Sequence, residues 1–211
     1  MKKINVLLVE EDPDWRGYIT AWLQEEPDLC IIGNVETKEE IVRLVQLLDI
    51  DVVLMELMLK RSVEEGIEVS LELHALQKSK VIVLTTVDQA ETIIEAFASG
   101  VCNYLVKTHQ ANLPEIIRSV HSNRSSIHYV AARVLRQEFI RVKQLEWRRQ
   151  LTQAESGILQ MIHDGYTHAQ IMDRLYISES TIKTHVNRIL RKFNVRTSKE
   201  AARRAKLRGI L

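Results

Sequence analysis

Ile4-Asn5-Val6-Leu7-Leu8-Val9-Glu10-Glu11-Asp12-Pro13 stands near the start of the chain, and its reading decides the fold. The run Ile4–Val9 has the length of a strand and is too continuously apolar for a strand wetted on one face, so it reads as a strand buried on both sides. Asp12 followed by Pro13 is a helix start: the carboxylate caps free amides, and proline is tolerated in the first turn. A strand that ends in two carboxylates and passes at once into a helix is the opening of a βα repeat. The repeat continues with strands at Leu29–Val35, Val52–Met55, Val81–Leu84 and Tyr104–Val106. Between them lie helices marked by a Thr37/Glu40 capping box with Ile41, Leu44, Val45 and Leu48 on one face, by Ile67 to Leu76, by Asp88-x-x-Glu91 with Gly100 as the stop, and by Pro114 to Val120. Five buried strands alternating with helices imply an α/β, doubly wound, five-stranded parallel sheet, whose ligands sit beyond the carboxyl ends of the strands.

The rest of the composition agrees with a globular chain. Of 211 residues, 45% are hydrophobic and 27% charged. Apolar runs such as Val6–Val9 are far shorter than the roughly 18 residues of a membrane helix. Met1-Lys2-Lys3 could begin a leader, but Glu10, Glu11 and Asp12 interrupt the apolar run too early. Two cysteines, Cys30 and Cys102, lack metal-type spacing and are too few for a disulfide scaffold. A soluble, cytoplasmic protein with no membrane partner and no cofactor is expected. The net charge of +1 conceals an asymmetry: residues 1–121 hold 11 Lys/Arg against 21 Asp/Glu, whereas residues 122–211 hold 18 against 7. An acidic half joined to a basic half suggests two domains with different partners, the basic one a candidate for nucleic acid. Mutual attraction of the two halves would account for the asymmetry equally well.

The informative residues of the acidic half lie at the strand ends. Glu10 and Glu11 follow the first strand, Glu56 the third, Thr85 and Thr86 end the fourth, and Lys107 follows the fifth. Polar residues collect at sheet ends in any case, but this whole set is more specific. Residues 1–121 resemble the receiver domain of bacterial response regulators, a flavodoxin-like fold. The resemblance implies that Glu10 and Glu11 stand where an acidic pair holds Mg²⁺, Glu56 where an aspartate accepts a phosphoryl group, Thr85 and Lys107 where the phosphate is contacted, and Tyr104 at the aromatic switch position. The departures are chemical: Glu56 and Glu11 replace aspartates, the loop Leu57–Glu65 lacks the usual proline, and Thr108 replaces another. A carboxylate one methylene longer displaces oxygens that Mg²⁺ requires at about 2.0–2.1 Å. The expectation is that no metal sits at Glu10, Glu11 and Glu56, that Glu56 is not switched by phosphorylation, and that it reaches Lys107 directly. Such a pair could mimic the phosphorylated state or simply fill the pocket.

His121–Ser126 is polar and aperiodic, placing a domain boundary there and a largely helical linker at 122–147. From Ile127 to about Arg149 the apolar residues Val130, Val134, Leu135, Phe139, Val142 and Leu145 form a broad stripe, expected to pack on the same chain, with dimer contact as the second reading. Four helix starts follow: Thr152-x-x-Glu155 with an end near Asp164-Gly165, Thr167-x-x-Gln170 through Leu175, Ser178 to about Phe193, and Thr197-x-x-Glu200 to near Gly209. The third of these turns Ile182, Val186, Ile189, Leu190 and Phe193 inward and leaves a basic face outward. A short helix, a tight turn and a basic-faced helix form a helix-turn-helix pattern. Leu151-Thr152 to Glu155 and Ile177 to Val186 resemble the LuxR-type four-helix DNA-binding domain over 148–211, an all-α unit, so nearly the whole chain resembles a NarL/FixJ-type response regulator. His168, Ala169 and Met172 depart from that family's common wording.

The chemistry then distributes roles. Lys183, Thr184, Asn187 and Arg188 are candidates for base edges in the major groove of double-stranded DNA, and Thr181, His185, Arg191 and Lys192 for phosphates. Ala201, Ala202, Ala205 and Leu207 lie on the last helix, where small residues allow close approach; the resemblance implies a homodimer there, and packing on the preceding helices is the other reading. The leading expectation is a sequence-specific transcriptional regulator with an atypical receiver, and not an enzyme. The alternatives are a protein-interaction module whose receiver binds a regulatory partner, a regulator still phosphorylated by a kinase, and a small phosphotransferase or metal hydrolase using Glu10, Glu11 and Glu56.

Overall fold

A computed structural model describes residues 3–109, 112–124 and 127–211. Ser125 and Ser126 of the polar run, and Met1 and Lys2, lie outside the described residues. Two compact units form, Met1–Arg136 and Gln137–Leu211.

In the first unit, strands β1 (Ile4–Val9), β2 (Leu29–Val35), β3 (Val52–Met55), β4 (Lys80–Thr85) and β5 (Asn103–Val106) alternate with helices α1 (Pro13–Gln24), α2 (Lys38–Leu47), α3 (Val63–Leu76), α4 (Ala90–Ala98) and α5 (Leu113–His121). The sheet is fully parallel in the order β2-β1-β3-β4-β5. β1 therefore has its chain neighbour on one side and β3 on the other, and a crevice opens beyond their carboxyl ends. One face of the sheet packs Leu7, Val9, Val53, Met55 and Val83 with Ile41, Val69 and Ile93; the other packs Val6, Leu8, Leu54 and Ile82 with Ile19, Leu23 and Ile117. That double burial is why these strands read as continuous apolar runs.

Several expectations are corrected in detail. Leu48 does not join the buried face of α2; it is the C-cap in extended backbone and half in solvent. Thr37 caps α2 by accepting from the Glu40 amide, but its hydroxyl donates to the Glu40 carboxylate, so no reciprocal box forms. α3 begins at Val63, capped by Ser62, well before Ile67. Gln89, and not Asp88, holds the N-cap position of α4, without a side-chain bond.

The second unit holds α7 (Gln153–His163), α8 (His168–Leu175), α9 (Glu179–Phe193) and α10 (Ser198–Leu207) around Ile158, Leu159, Ile171, Ile182, Ile189 and Phe193. Both capping boxes, Thr152/Glu155 and Thr167/Gln170, are complete. α6 (Tyr129–Arg149) spans the boundary between the units. Ala131 and Val134 belong to the core of the first unit, which moves the division later than the polar run. Beyond them the expected stripe fails to bury, since Phe139, Val142 and Leu145 are exposed. Arg148 nonetheless donates to the Gly209 carbonyl at 2.9 Å, tying the end of α6 to the end of α10. Ala201, Ala202 and Ala205 are buried inside their own unit, so the small-residue face of α10 is already used, and of that set only Leu207 faces solvent. Among the described residues no helix is long and apolar enough to cross a membrane.

Candidate functional site: a closed carboxylate–ammonium cleft and a basic helix

Register brings the acidic residues together. Val9 pairs with Met55 across β1 and β3, so Glu10 and Glu56 leave the sheet side by side. Thr85 pairs with Val106, which sets Lys107 at the same edge, at the start of a single 3₁₀ turn. Lys107 Nζ lies 2.7 Å from Glu10 Oε2 and 2.8 Å from Glu56 Oε2. All three side chains are buried. The other oxygens are also engaged: Glu10 Oε1 accepts from the Asp12 amide at 3.1 Å and Glu56 Oε1 from the Met58 amide at 3.0 Å. The expected direct reach from Glu56 to Lys107 is thus present, and Glu10 shares it. Lys107 also sits 5.0 Å from the centre of the Trp15 ring, a cation–π contact.

Two carboxylates and one ammonium leave an excess negative charge out of water. Burial pushes the Glu10 carboxyl above its ordinary range, although the Lys107 hydrogen bond pulls the other way. Burial alone would lower Lys107, but hydrogen bonds and charge from Glu10 and Glu56 outweigh it and hold the ammonium firmly protonated.

The remaining site residues are placed differently from the expectation. Glu11 does not join Lys107; its carboxylate accepts from the Lys60 amide at 2.6 Å. Thr85 is wholly buried and its hydroxyl accepts from the Val87 amide, so the hydroxyl residue lining the cleft is Thr86. Tyr104 is turned inward, donating to the Val87 carbonyl at 2.9 Å. Burial, with the nearby Glu56 and Asp88 charges, raises its phenol strongly. The cleft measures about 260 Å³ and adds Trp15, Met58 and Arg61 to the acidic residues. Sequence reading missed these three; the aromatic residue directly after Asp12-Pro13-Asp14 was the available signal. Gly66 holds the wall close, since a Cβ there would meet the Leu57 carbonyl oxygen at 2.0 Å.

Mg²⁺ does not fit this donor set. It demands near-octahedral oxygens, whereas every oxygen of Glu10 and Glu56 already has a protein donor, and Glu11, which also lines the cleft, accepts from the Lys60 amide. Among the described residues no group of three or more His, Cys, Asp or Glu is disposed to hold a metal.

In the second unit, α9 is capped by Ser178, which accepts from the Thr181 amide. Ile182, Val186, Ile189 and Phe193 face the core, while Lys183, Thr184, Asn187, Arg188 and Arg191 are exposed; Thr181 and His185 are half-buried. Lys183 bridges to Glu179 at 2.6 Å, an exposed pair that a stronger partner can replace. Lys192, also exposed, has a partner within its own unit: its ammonium is 2.5 Å from Glu155, a carboxylate with 1% exposure that also accepts from the Thr152 amide. Burial would raise Glu155, yet Lys192 and Thr152 together hold it below the ordinary range. Lys192 is therefore a tie between α9 and α7.

Comparison with known proteins adds the family. Residues 6–118 match the response regulator receiver domain, and residues 149–205 match the bacterial regulatory proteins of the luxR family. The chain is 31% identical to the uncharacterized transcriptional regulatory protein YxjL of Bacillus subtilis, over 99% of this chain and 98% of that one. It is 31% identical to the transcriptional regulatory protein LiaR of the same organism, over 94% and 95% of the two chains. In fold it is similar to the response regulator RcsB of Salmonella typhimurium, with a TM-score of 0.58 at 17% identity, covering 98% of this chain and 100% of that one.

Proposed function

The chain belongs to the bacterial response regulators with a luxR-family domain, transcriptional regulators and not enzymes, and on that premise we propose that it is a sequence-specific DNA-binding regulator whose receiver is not controlled by phosphorylation at Glu56. The single observation that carries the second part is Lys107, whose ammonium bridges Glu10 and Glu56 at 2.7 and 2.8 Å. A phosphoryl group transferred to Glu56 would break its pairing with Lys107 and bring further negative charge against the buried Glu10 carboxylate, with the same single ammonium to offset both. The bridge supplies internally the positive charge that a metal would bring, and the inward Tyr104 ring packs the adjoining strand end in one arrangement. In this reading α9 enters the major groove, Lys183, Thr184, Asn187 and Arg188 face base edges, and Thr181, His185 and Arg191 lie toward phosphates. Two copies would read two half-sites related by a two-fold axis.

Incubation with acetyl phosphate and Mg²⁺ followed by intact-mass measurement tests the receiver. The expected result is no stoichiometric gain in mass; a gain that disappears in Glu56→Gln would restore phosphorylation as the control. Binding to oligonucleotides selected from a random pool tests the DNA reading. Discrimination well above non-specific binding is expected, with Asn187→Ala altering base preference at about 1–3 kcal/mol. Binding without discrimination would favour the interaction-module reading instead.

A further inference from the structure

The turn between α8 and α9 is made by Tyr176, whose backbone and side chain both stand out. Its φ of 54° and ψ of 44° are left-handed, and its amide closes α8 onto the Met172 carbonyl. A Cβ is disfavoured there, and helix ends of this kind ordinarily use glycine or asparagine. The same chain follows that rule at the end of α9, where Asn194 adopts a φ of 51°, and departs from it at the end of α3, where Gln77 adopts a φ of 53° but its side-chain amide donates back to the His74 carbonyl at 2.6 Å. Burial does not explain the exception, because Tyr176 is 95% exposed, the most exposed of the large hydrophobic side chains. A bulky ring is thus kept in a conformation that suits a smaller residue, without packing in return.

Its position supplies the reason. Tyr176 lies two residues before Ser178, the cap of α9, where Ser178 Oγ is 2.8 Å from Ser180 Oγ and 2.9 Å from Thr181 Oγ1. This edge is rich in uncharged hydroxyls and directly precedes the helix turn that carries Lys183 and Thr184. The geometry points to Tyr176 as a further DNA-positioning residue, its hydroxyl donating to a backbone phosphate oxygen beside the groove that α9 enters. The inference rests on the DNA reading of α9 and deepens it. Two signatures follow from the chemistry. A contact to the backbone carries no base preference. An uncharged donor neutralises no phosphate, so it does not change the number of counterions released.

The test uses the full chain, fluorescence anisotropy on its selected duplex and on a scrambled one across a salt series, and thermal melting. Tyr176→Phe is expected to weaken both duplexes about fivefold, with the slope of log affinity against log salt unchanged. Tyr176→Gly is expected to raise the melting temperature while weakening both duplexes by at least about tenfold. Opposite movement of stability and affinity is a result that a purely structural turn residue would not give. Undiminished affinity in Tyr176→Gly, a loss confined to one duplex, or an altered salt slope in Tyr176→Phe would overturn the inference. If the wild-type chain fails to distinguish the duplexes and Asn187→Ala changes nothing, the DNA reading itself falls.

Discussion

Lys107 shows how one side chain can fix the state of a site. Its ammonium meets two buried carboxylates, so removing it leaves like charges facing each other out of water. Lys107→Met should therefore cost on the order of 3–5 kcal/mol at neutral pH. The loss should shrink toward about pH 5, because unpaired buried carboxylates take up protons to become neutral. Urea unfolding at both pH values checks this, and equal stability of variant and wild type at neutral pH would contradict the bridge. The wild-type pH dependence has a definite sign. Lys107 is raised, so its contribution is complete below its ordinary 10.5 and is lost as pH rises through the higher folded value. Glu10 is raised too, so the folded chain takes its proton before the unfolded chain does. Stability from this group is fullest below about 4.5 and declines as pH climbs through the raised value, a slope that Glu10→Gln should remove. At this scale the pairing of Glu56 with Lys107 was legible, because strand ends in a parallel sheet share one edge. The bond of Glu11 to the Lys60 amide, the inward turn of Thr85 and the Trp15 ring over Lys107 were not, since each depends on a loop path that strand periodicity does not specify.

Among the elements, the loop after β3 stores strain next to the cleft. Leu59 and Ser62 exchange backbone hydrogen bonds at 3.0 and 2.7 Å, closing a two-residue turn. Its central residues Lys60 and Arg61 have φ of 47° and 65°, a pattern that favours Asn-Gly. Arg61→Gly should stabilise the chain by about 1 kcal/mol through relief of the left-handed backbone, read as a higher melting temperature. A lower one would mean that the Arg61 side chain holds the cleft wall. Capping signals located most helices well because they act within three residues; Thr152/Glu155 and Thr167/Gln170 formed as read. Asp88 and Leu48 misled because a cap or an apolar face is decided by where the chain enters and leaves the helix. α6 misled for a related reason. Its stripe is continuous in sequence, but the first unit covers Ala131 and Val134 and leaves Phe139, Val142 and Leu145 in solvent.

For the whole molecule the acidic half coincides with the receiver match and the basic half with the luxR-family match, and DNA binding by the basic half is expected to weaken as salt rises. Arg191, exposed on α9, should lower the slope of log affinity against log salt by about 1 when changed to alanine. Lys192→Ala, by contrast, should lower the stability of its unit by about 2–3 kcal/mol, since Glu155 would remain buried without its partner. Thermal melts beside salt titrations distinguish the two neighbours; a reversed pattern would show that Lys192 faces the nucleic acid. Local chemistry in the sequence determined the alternation of strands and helices, the helix-turn-helix pattern and the set of groups at the sheet edge, because periodicity, caps and strand ends are properties of adjacent residues. The tertiary structure alone decided which of those groups meet: that Glu10 joins Glu56 on Lys107, that Lys192 is drawn to Glu155, and that the alanines of α10 face inward. These outcomes follow from competition between desolvation and pairing among residues far apart in the chain, and only the packed fold brings the competitors within reach.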